Sequence, residues 1–192
     1  MRVFGKTDVG LVRKVNEDYL YYSRVPVGAF PNLFIVADGM GGHNAGDFAS
    51  RYAIECFLDY IQTSKPDALI RMVDEGVKYA NKKIIEKAKE NPAMKGMGTT
   101  MVIAFIEDGQ LFVGNVGDSR LYHIFDYNSK YERTRDHSMV QILCDMGEIT
   151  EKEMRHHEER NKLLRVMGAE WTGKSFDLSA VLERGNEHCF AL

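Results

Sequence analysis

A carboxylate followed by a glycine-rich run is the most informative chemical feature of this sequence. Residues 34–37 are all apolar, which is typical of a buried strand, and Asp38 follows them directly. Three of residues 39–42 are glycines, which allow a sharp turn and expose backbone carbonyl groups to a ligand. Carboxylate and carbonyl oxygens are the ligands that Mg2+ and Mn2+ prefer, so this turn predicts a cation site. An ordinary strand-to-helix turn is the alternative.

A second acidic feature lies upstream, where Glu17 and Asp18 precede a predicted strand over residues 18–24. Arg13 lies a few residues earlier and is within reach of the same cleft. Its planar guanidinium matches phosphate oxygens in a way that lysine cannot. A charged surface loop would explain this segment if it stood alone. Its occurrence together with the glycine-rich turn favours a shared site.

A third acid, Asp118, follows Gly117 at a break between two predicted strands. The strand before this break covers residues 110–116. It is joined to an earlier apolar strand, residues 98–106, by an Asp-Gly pair at residues 108–109, which is a strong signal for a two-residue hairpin. The sequence therefore once more places an acid at a glycine-marked break between strands.

The elements that must position these acids alternate between hairpins and paired helices. Apolar periodicity and the positions of Gly and Pro predict helices over 45–62, 67–90, 138–145 and 150–157, and further strands over 2–8, 32–38 and 175–182. Local hairpins with helices between them indicate an α+β sandwich.

Length and composition agree with one globular domain over residues 1–192. The net charge of −3 gives no basic field for nucleic acid or an anionic membrane. No segment approaches the roughly 20 apolar residues of a membrane span, and the N-terminus lacks a signal-peptide pattern. Cys56, Cys144 and Cys189 are widely spaced, which favours reduced thiols in a cytoplasmic protein.

Taken in order, these motifs resemble the type 2C metal-dependent protein serine/threonine phosphatases (PPM), closest to their bacterial branch. The resemblance extends from about residue 5 to residue 168. The motifs that carry it are Arg13, Asn16-Glu17-Asp18, residues 37–43, Gly98-Thr99-Thr100, residues 114–120 and Asp136-His137-Ser138. The resemblance implies a four-layer α-β-β-α sandwich of two antiparallel sheets flanked by helices. It also implies hydrolysis of phosphoserine and phosphothreonine in proteins by a water activated at a two-metal centre.

The resemblance also implies a set of metal ligands. Asp38 is expected to bridge two ions, and the Gly39 carbonyl to bind one of them. Asp18 is expected to act mainly through metal-bound waters, with Glu17 as a weaker candidate. Asp118 would contribute to an additional, weaker metal position. The expected cofactor is Mn2+ or Mg2+, with two or three ions in a complete domain.

The expected catalytic residues are Arg13, which would hold the substrate phosphate, together with Asp38 and His43. Animal members of the resembling family carry a histidine directly after the Asp-Gly pair, which serves as a general acid. Met40 occupies that position here and cannot transfer a proton. His43 is the remaining candidate. Its alternative roles are to cap the following helix or to face solvent.

The sequence departs from the family pattern at its end. The family continues past the last predicted strand to two further metal-binding acids, whereas this chain stops at Leu192. Asp177 is the only nearby acid that could be proposed as a stand-in, and we do not expect it to substitute for them. We therefore expect a C-terminally incomplete domain with exposed sheet edges that favour dimerisation or strand exchange.

Three functions remain open on these grounds. The favoured one is a metal-dependent phosphatase with phosphorylated protein substrates, an opposing serine/threonine kinase, and no nucleic-acid or membrane partner. The second is a non-catalytic phosphatase-like binding or regulatory module, since the last metal-binding acids are absent. The third is a related regulator-specific hydrolase.

Overall fold

The computed structural model describes residues 1–42, 45–126, 130–172, 177–182 and 189–191. The strands are β1 (Asp18–Ser23), β2 (Leu33–Met40), β3 (Gly98–Thr99), β4 (Met101–Glu107), β5 (Gln110–Val116), β6 (Tyr122–Asp126), β7 (Lys130–Arg133), β8 (Asp177–Leu182) and β9 (Cys189–Ala191). The helices are α1 (Ala45–Thr63), α2 (Leu69–Glu90), α3 (Met139–Asp145) and α4 (Glu151–Met154), and 3-10 turns cover Pro92–Met94 and Glu158–Asn161.

The strands form two antiparallel sheets. The larger sheet has the order β1-β2-β4-β5-β8, and β3 pairs with the last two residues of β2. The smaller sheet has the order β7-β6-β9. This confirms the expected α+β architecture of two antiparallel sheets with helices. Among the described residues, no helix is long and apolar enough to cross a membrane.

The alternation of side chains along β2 decides which face of the large sheet is covered by helices. Leu33, Ile35 and Ala37 are buried in the main core with residues of α1 and α2. Phe34 and Asp38 point to the opposite face, because side chains two residues apart share a side. On that face Phe34 packs on a smaller apolar cluster, whose buried members are Val102, Ala104, Leu111, Val113 and Leu121.

The hairpin predicted at residues 108–109 is confirmed. Its two residues have φ angles of 49° at Asp108 and 73° at Gly109, and they join β4 to β5. Positive φ at both central positions is the requirement of a type I′ turn, whose twist matches that of the flanking strands. Helices α1, α2 and α3 lie within two residues of their predicted ends.

Three predictions about the elements were wrong in detail. Residues 2–8 form no strand, and Phe4 there is 87% exposed, because no described strand pairs with this segment. The strand predicted over 98–106 is divided at Thr100, whose flanking strands β3 and β4 pair with different parts of β2. The helix predicted over 150–157 ends at Met154, since the His157 side chain accepts from the Glu159 backbone N–H and begins a 3-10 turn.

Candidate active site

Two carboxylates, those of Asp18 and Asp38, lie directly opposite each other in the β1–β2 register. Opposed residues of an antiparallel pair project to the same face, so both side chains lie on the side of the sheet away from α1 and α2. Burial, followed by the nearby carboxylates of Asp18 and Asp118, raises the pKa of Asp38 to about 6. This excess of negative charge is the main electrostatic property of the site.

The backbone of Asp38 is fixed by the two threonines that end β3 and follow it. Its N–H donates to Thr100 Oγ1 at 2.9 Å. Its carbonyl accepts from the Thr100 N–H and from Thr99 Oγ1, each at 2.9 Å. Both threonines are buried, so few alternative partners are available to these groups. Asp38 lies two residues before the end of β2 rather than at its end. The hydrogen bonds from Thr99 and Thr100 to its backbone, which we call the threonine clamp, set the direction of its side chain.

The loop that carries Asp118 is attached to the same clamp. Thr100 Oγ1 and Ser119 Oγ are 2.7 Å apart, which links the Asp38 strand to the residue after Asp118. Gly117 has a φ of 101°, and a Cβ there would lie 2.5 Å from Thr100 Cγ2. Burial raises the pKa of the Asp118 carboxyl as well. Close packing of Gly117 on Thr100 therefore brings Asp118 toward Asp38.

Glu17 lies over the start of α1. Its carbonyl accepts from the Gly39 N–H at 2.9 Å and from Ser50 Oγ at 2.6 Å. A Cβ on Gly46 would lie 2.5 Å from Glu17 Oε1, and a Cβ on Gly39 would lie 1.9 Å from the Gly46 carbonyl oxygen. Only glycines at positions 39 and 46 allow β2, α1 and the Glu17 carboxylate to approach this closely.

Arg13 has a partner in this structure. Its Nη1 lies 2.6 Å from Glu17 Oε2, and its side chain is 73% exposed. The guanidinium is therefore held beside the acidic cluster by an ion pair rather than by burial. A phosphate that binds Arg13 would compete with Glu17 for the same donors, or share them.

His137 connects the Asp118 loop to β8. Its Nδ1 accepts from the Gly117 N–H at 3.1 Å, which leaves the proton of the neutral ring on Nε2. Nε2 lies 3.1 Å from Asp177 Oδ2. Burial lowers the pKa of His137. Asp177 also lies 3.6 Å from Arg165, so it belongs to the group of side chains that supports the Asp118 loop.

The sequence profile of protein phosphatase 2C matches residues 12–159, which is more than half of the chain. The chain belongs to the protein phosphatase 2C family. The serine/threonine phosphatase stp of Listeria welshimeri is 36% identical over 174 residues, which cover 86% of this chain and 66% of that protein. The chain thus spans just under two thirds of the length of this curated relative.

Solved structures of the protein phosphatase 2C fold agree. The crystal structure of serine/threonine phosphatase Stp1 from Staphylococcus aureus has a TM-score of 0.76 and 32% identity, and the match covers 91% of this chain and 68% of that one. The catalytic domain of the serine/threonine phosphatase PstP, in complex with two manganese ions, has a TM-score of 0.72 and 30% identity, and the match covers 91% and 70%.

The donor set of this family member fits a hard cation in its chemistry. The carboxylates of Asp18 and Asp38 lie on the same face of the sheet, where Gly39 follows Asp38 in the chain, and their mutual repulsion would be relieved by a bound cation. Within the described ranges, however, no three His, Cys, Asp or Glu side chains are close enough together to hold an ion. The cluster therefore supplies part of a ligand set. His43 lies outside the described residues.

Sequence analysis missed the supporting residues. Thr99 and Thr100 belonged to a recognised motif without an assigned role, and the structure gives them one through the Asp38 backbone. The sequence signal that could have indicated this role is the pair of hydroxyl residues, Thr99 and Thr100, directly after Gly98 in a strand that is otherwise apolar. Cys56, one of the cysteines expected to be reduced, is a free thiol buried in the main core.

Proposed function

We propose that residues 1–192 form one phosphatase-like catalytic domain that hydrolyses phosphoserine and phosphothreonine in proteins with the help of Mn2+ or Mg2+. The observation that carries this proposal is the Asp18–Asp38 pair, held together against its own repulsion on a protein phosphatase 2C fold. Cross-strand like charges are destabilising unless an opposite charge neutralises them. The names of the relatives support the substrate class.

The residues proposed to hold the metal are Asp38 and Asp18 with the Gly39 carbonyl, and Glu17 and Asp118 are the weaker candidates. When bound, the ion supplies Lewis acidity that offsets phosphoryl charge and makes water a better nucleophile near neutral pH, at two positions in the proposed complete site. Thr99 and Thr100 keep the Asp38 carboxylate pointed at the ion by holding its backbone.

Arg13 is proposed to bind the substrate phosphate. Its side chain is exposed and already lies at the acidic cluster, so a phosphate can replace Glu17 as its partner with little movement of the chain. The bidentate guanidinium–phosphate contact would place the phosphoryl group over Asp38. His43 remains the proposed general acid for the leaving hydroxyl.

The proposed partners are phosphorylated proteins and the serine/threonine kinase that opposes this activity. Homologues named serine/threonine phosphatase support the first of these. Association between copies through sheet edges remains a proposal.

The test is hydrolysis of p-nitrophenyl phosphate and of a phosphothreonine peptide, with Mn2+ titrated in and then removed with EDTA. We expect turnover that requires Mn2+ and is lost in Asp38→Asn. Asp74→Asn is the control, since Asp74 is an acid on α2 that pairs with Lys78. Turnover that persists in EDTA would refute the metal-dependent mechanism. Phosphopeptide binding without any turnover would instead identify a phosphatase-like binding module.

A further inference from the structure

A cavity of about 480 Å3 adjoins the candidate active site. It shares Asp118 with that site, and Asp118 acts electrostatically on the Asp38 carboxyl. The described residues after α4 contribute three polar side chains to its lining, those of Arg155, Arg160 and Asn161. A substrate polypeptide whose phosphorylated residue reaches Asp38 would therefore pass close to these side chains.

Arg120 lies in the same cavity, but its charge is already neutralised. Its Nε and Nη2 lie 2.7 Å and 2.5 Å from the two carboxylate oxygens of Asp136. Asp136 is 7% exposed and also lies 3.4 Å from Arg133 Nη1. This buried network forms the wall of the cavity, and it leaves Arg120 with little charge to offer a ligand.

Arg155 and Arg160 differ from Arg120 in this respect. Both are exposed, and neither has a carboxylate partner among the residues that the structure describes. Arg160 donates to the His157 carbonyl at 3.3 Å, which fixes its direction without neutralising its charge.

Three acids close to these arginines in sequence have other partners, and the fourth, Glu158, forms no ion pair with either arginine among the described residues. Glu151 pairs with Arg133, and Glu159 pairs with Lys162. Glu153 accepts from the Thr150 backbone N–H in a capping box at the start of α4. The cavity therefore keeps two unneutralised guanidinium groups beside a site that is itself strongly acidic.

We propose that Arg155 and Arg160 form a subsite for an anionic group of the substrate polypeptide, close to the phosphorylated residue. This proposal rests on the proposed function, and it adds a preference for phosphoproteins with acidic flanking sequence. The ligand is a carboxylate of Asp or Glu or a second phosphoryl group, because both match the fork of donors that arginine presents. Acids of the active site would repel such a group, so the two arginines also direct where it can lie.

The test compares three phosphothreonine peptides that differ only in the residues flanking the phosphothreonine. These flanking residues are Glu in the first peptide, Ala in the second and phosphoserine in the third. The expected result is a higher kcat/KM for the Glu and phosphoserine peptides than for the Ala peptide. The preference is measured as the kcat/KM for an acidic peptide divided by the kcat/KM for the Ala peptide. This ratio should fall about threefold in Arg155→Gln or Arg160→Gln and about tenfold in the double variant. The contrast between the Glu and phosphoserine arms identifies which anion the subsite prefers.

Arg71→Gln is the matched control, because Arg71 is an exposed arginine on α2 that pairs with Asp67 and does not line the cavity. It should keep the full preference. Equal ratios in the wild type and the double variant would overturn the proposal, and so would a wild type that has no preference for acidic flanks.

A binding measurement separates this proposal from the proposed function. Fluorescence anisotropy of the same labelled peptides in EDTA requires no turnover. If the protein hydrolyses no phosphomonoester, the proposed function fails. Tighter binding of acidic peptides that weakens with salt and is lost in the double variant would still support the subsite. Binding that is the same for all peptides would overturn it.

Discussion

Asp18 and Asp38 occupy directly opposed positions in the β1–β2 pair, so two carboxylates share one face of the sheet at one point. In an ordinary sheet such a pair would be replaced by opposite charges or by apolar side chains. Here the pair is reinforced by Asp118 and Glu17, which also raise the pKa of Asp38. A site built from mutually repelling acids is destabilising for the empty protein, and it becomes favourable when a cation binds.

The first prediction follows from this repulsion. Asp38→Asn removes one of the opposed charges, so the metal-free variant should have a higher Tm than the metal-free wild type at pH 7. The same change should abolish the rise in Tm that Mn2+ produces in the wild type. Differential scanning fluorimetry with and without Mn2+ measures both effects. A variant that retains the Mn2+-dependent rise would remove Asp38 from the proposed ligand set.

The second prediction concerns pH. The pKa of Asp38 is raised from 3.8 to about 6 in the folded protein, so the folded state binds the proton more tightly than the unfolded chain. The contribution of Asp38 to the free energy of unfolding is therefore fully present below about pH 4 and is lost as pH rises through about 6. The Asp38 side chain is desolvated on one side and reaches solvent on the other, and this solvent screens part of the effect, so the expected result is a fall in the free energy of unfolding as pH rises through about 6. Urea denaturation of the metal-free protein across this range, with Asp38→Asn as the reference, checks it.

The third prediction tests the threonine clamp. Thr100→Val removes the acceptor for the Asp38 N–H and should lower the free energy of unfolding by about 1–3 kcal/mol, because a buried donor loses its partner. Thr100→Ser keeps the hydroxyl and should restore most of the Mn2+ affinity. Thr63→Val is the control, since its hydroxyl bonds to the Asp59 carbonyl at the exposed end of α1. Unchanged Mn2+ affinity in Thr100→Val would show that the clamp does not position Asp38.

The fourth prediction compares two glycines of the same turn. A Cβ on Gly39 would lie 1.9 Å from the Gly46 carbonyl oxygen, whereas a Cβ on Gly42 meets no atom of the described residues within 4 Å. Gly39→Ala should therefore cost more than about 2 kcal/mol by overpacking, and Gly42→Ala should be nearly neutral. Urea denaturation of both variants checks the difference. Similar stabilities would mean that β2 and α1 can separate without cost.

The fifth prediction concerns His137, which we regard as a positioning residue. His137→Phe removes the acceptor for the Gly117 N–H and should weaken Mn2+ binding by loosening the loop that carries Asp118. His137→Asn can keep an acceptor close to the position of Nδ1 and should recover part of the affinity. Isothermal titration with Mn2+ distinguishes the two variants. Equal affinity in both would assign His137 a role in packing alone.

Much of the scaffold could be predicted from sequence because its signals are local. The hairpin at Asp108 needs only two residues with positive φ, and the apolar run before Asp38 identifies β2 without reference to other segments. The strand predicted over 2–8 failed because pairing partners are non-local, and periodicity does not supply them.

The site was predictable in its charges and less so in its contacts. Asp18, Asp38 and Asp118 were selected by residue type and position, and the structure brings their charges together. The Arg13–Glu17 ion pair and the hydrogen bonds of Thr100 depend on side-chain directions. Sequence spacing does not encode those directions when the partners lie 62 residues apart, as Asp38 and Thr100 do.

The position of Asp177 has a consequence for the order of events during synthesis. Asp177 pairs with Asn115 in the β5–β8 register and contacts His137, which in turn holds the loop of Asp118. Domains emerge from the ribosome N-terminus first. A nascent chain that has emerged only as far as Gly168 already contains Asp18, Asp38 and Asp118, but the imidazole lacks its carboxylate partner. The hydrogen-bonded support of the Asp118 loop, from Gly117 through His137 to Asp177, is therefore complete only once β8 has been synthesised.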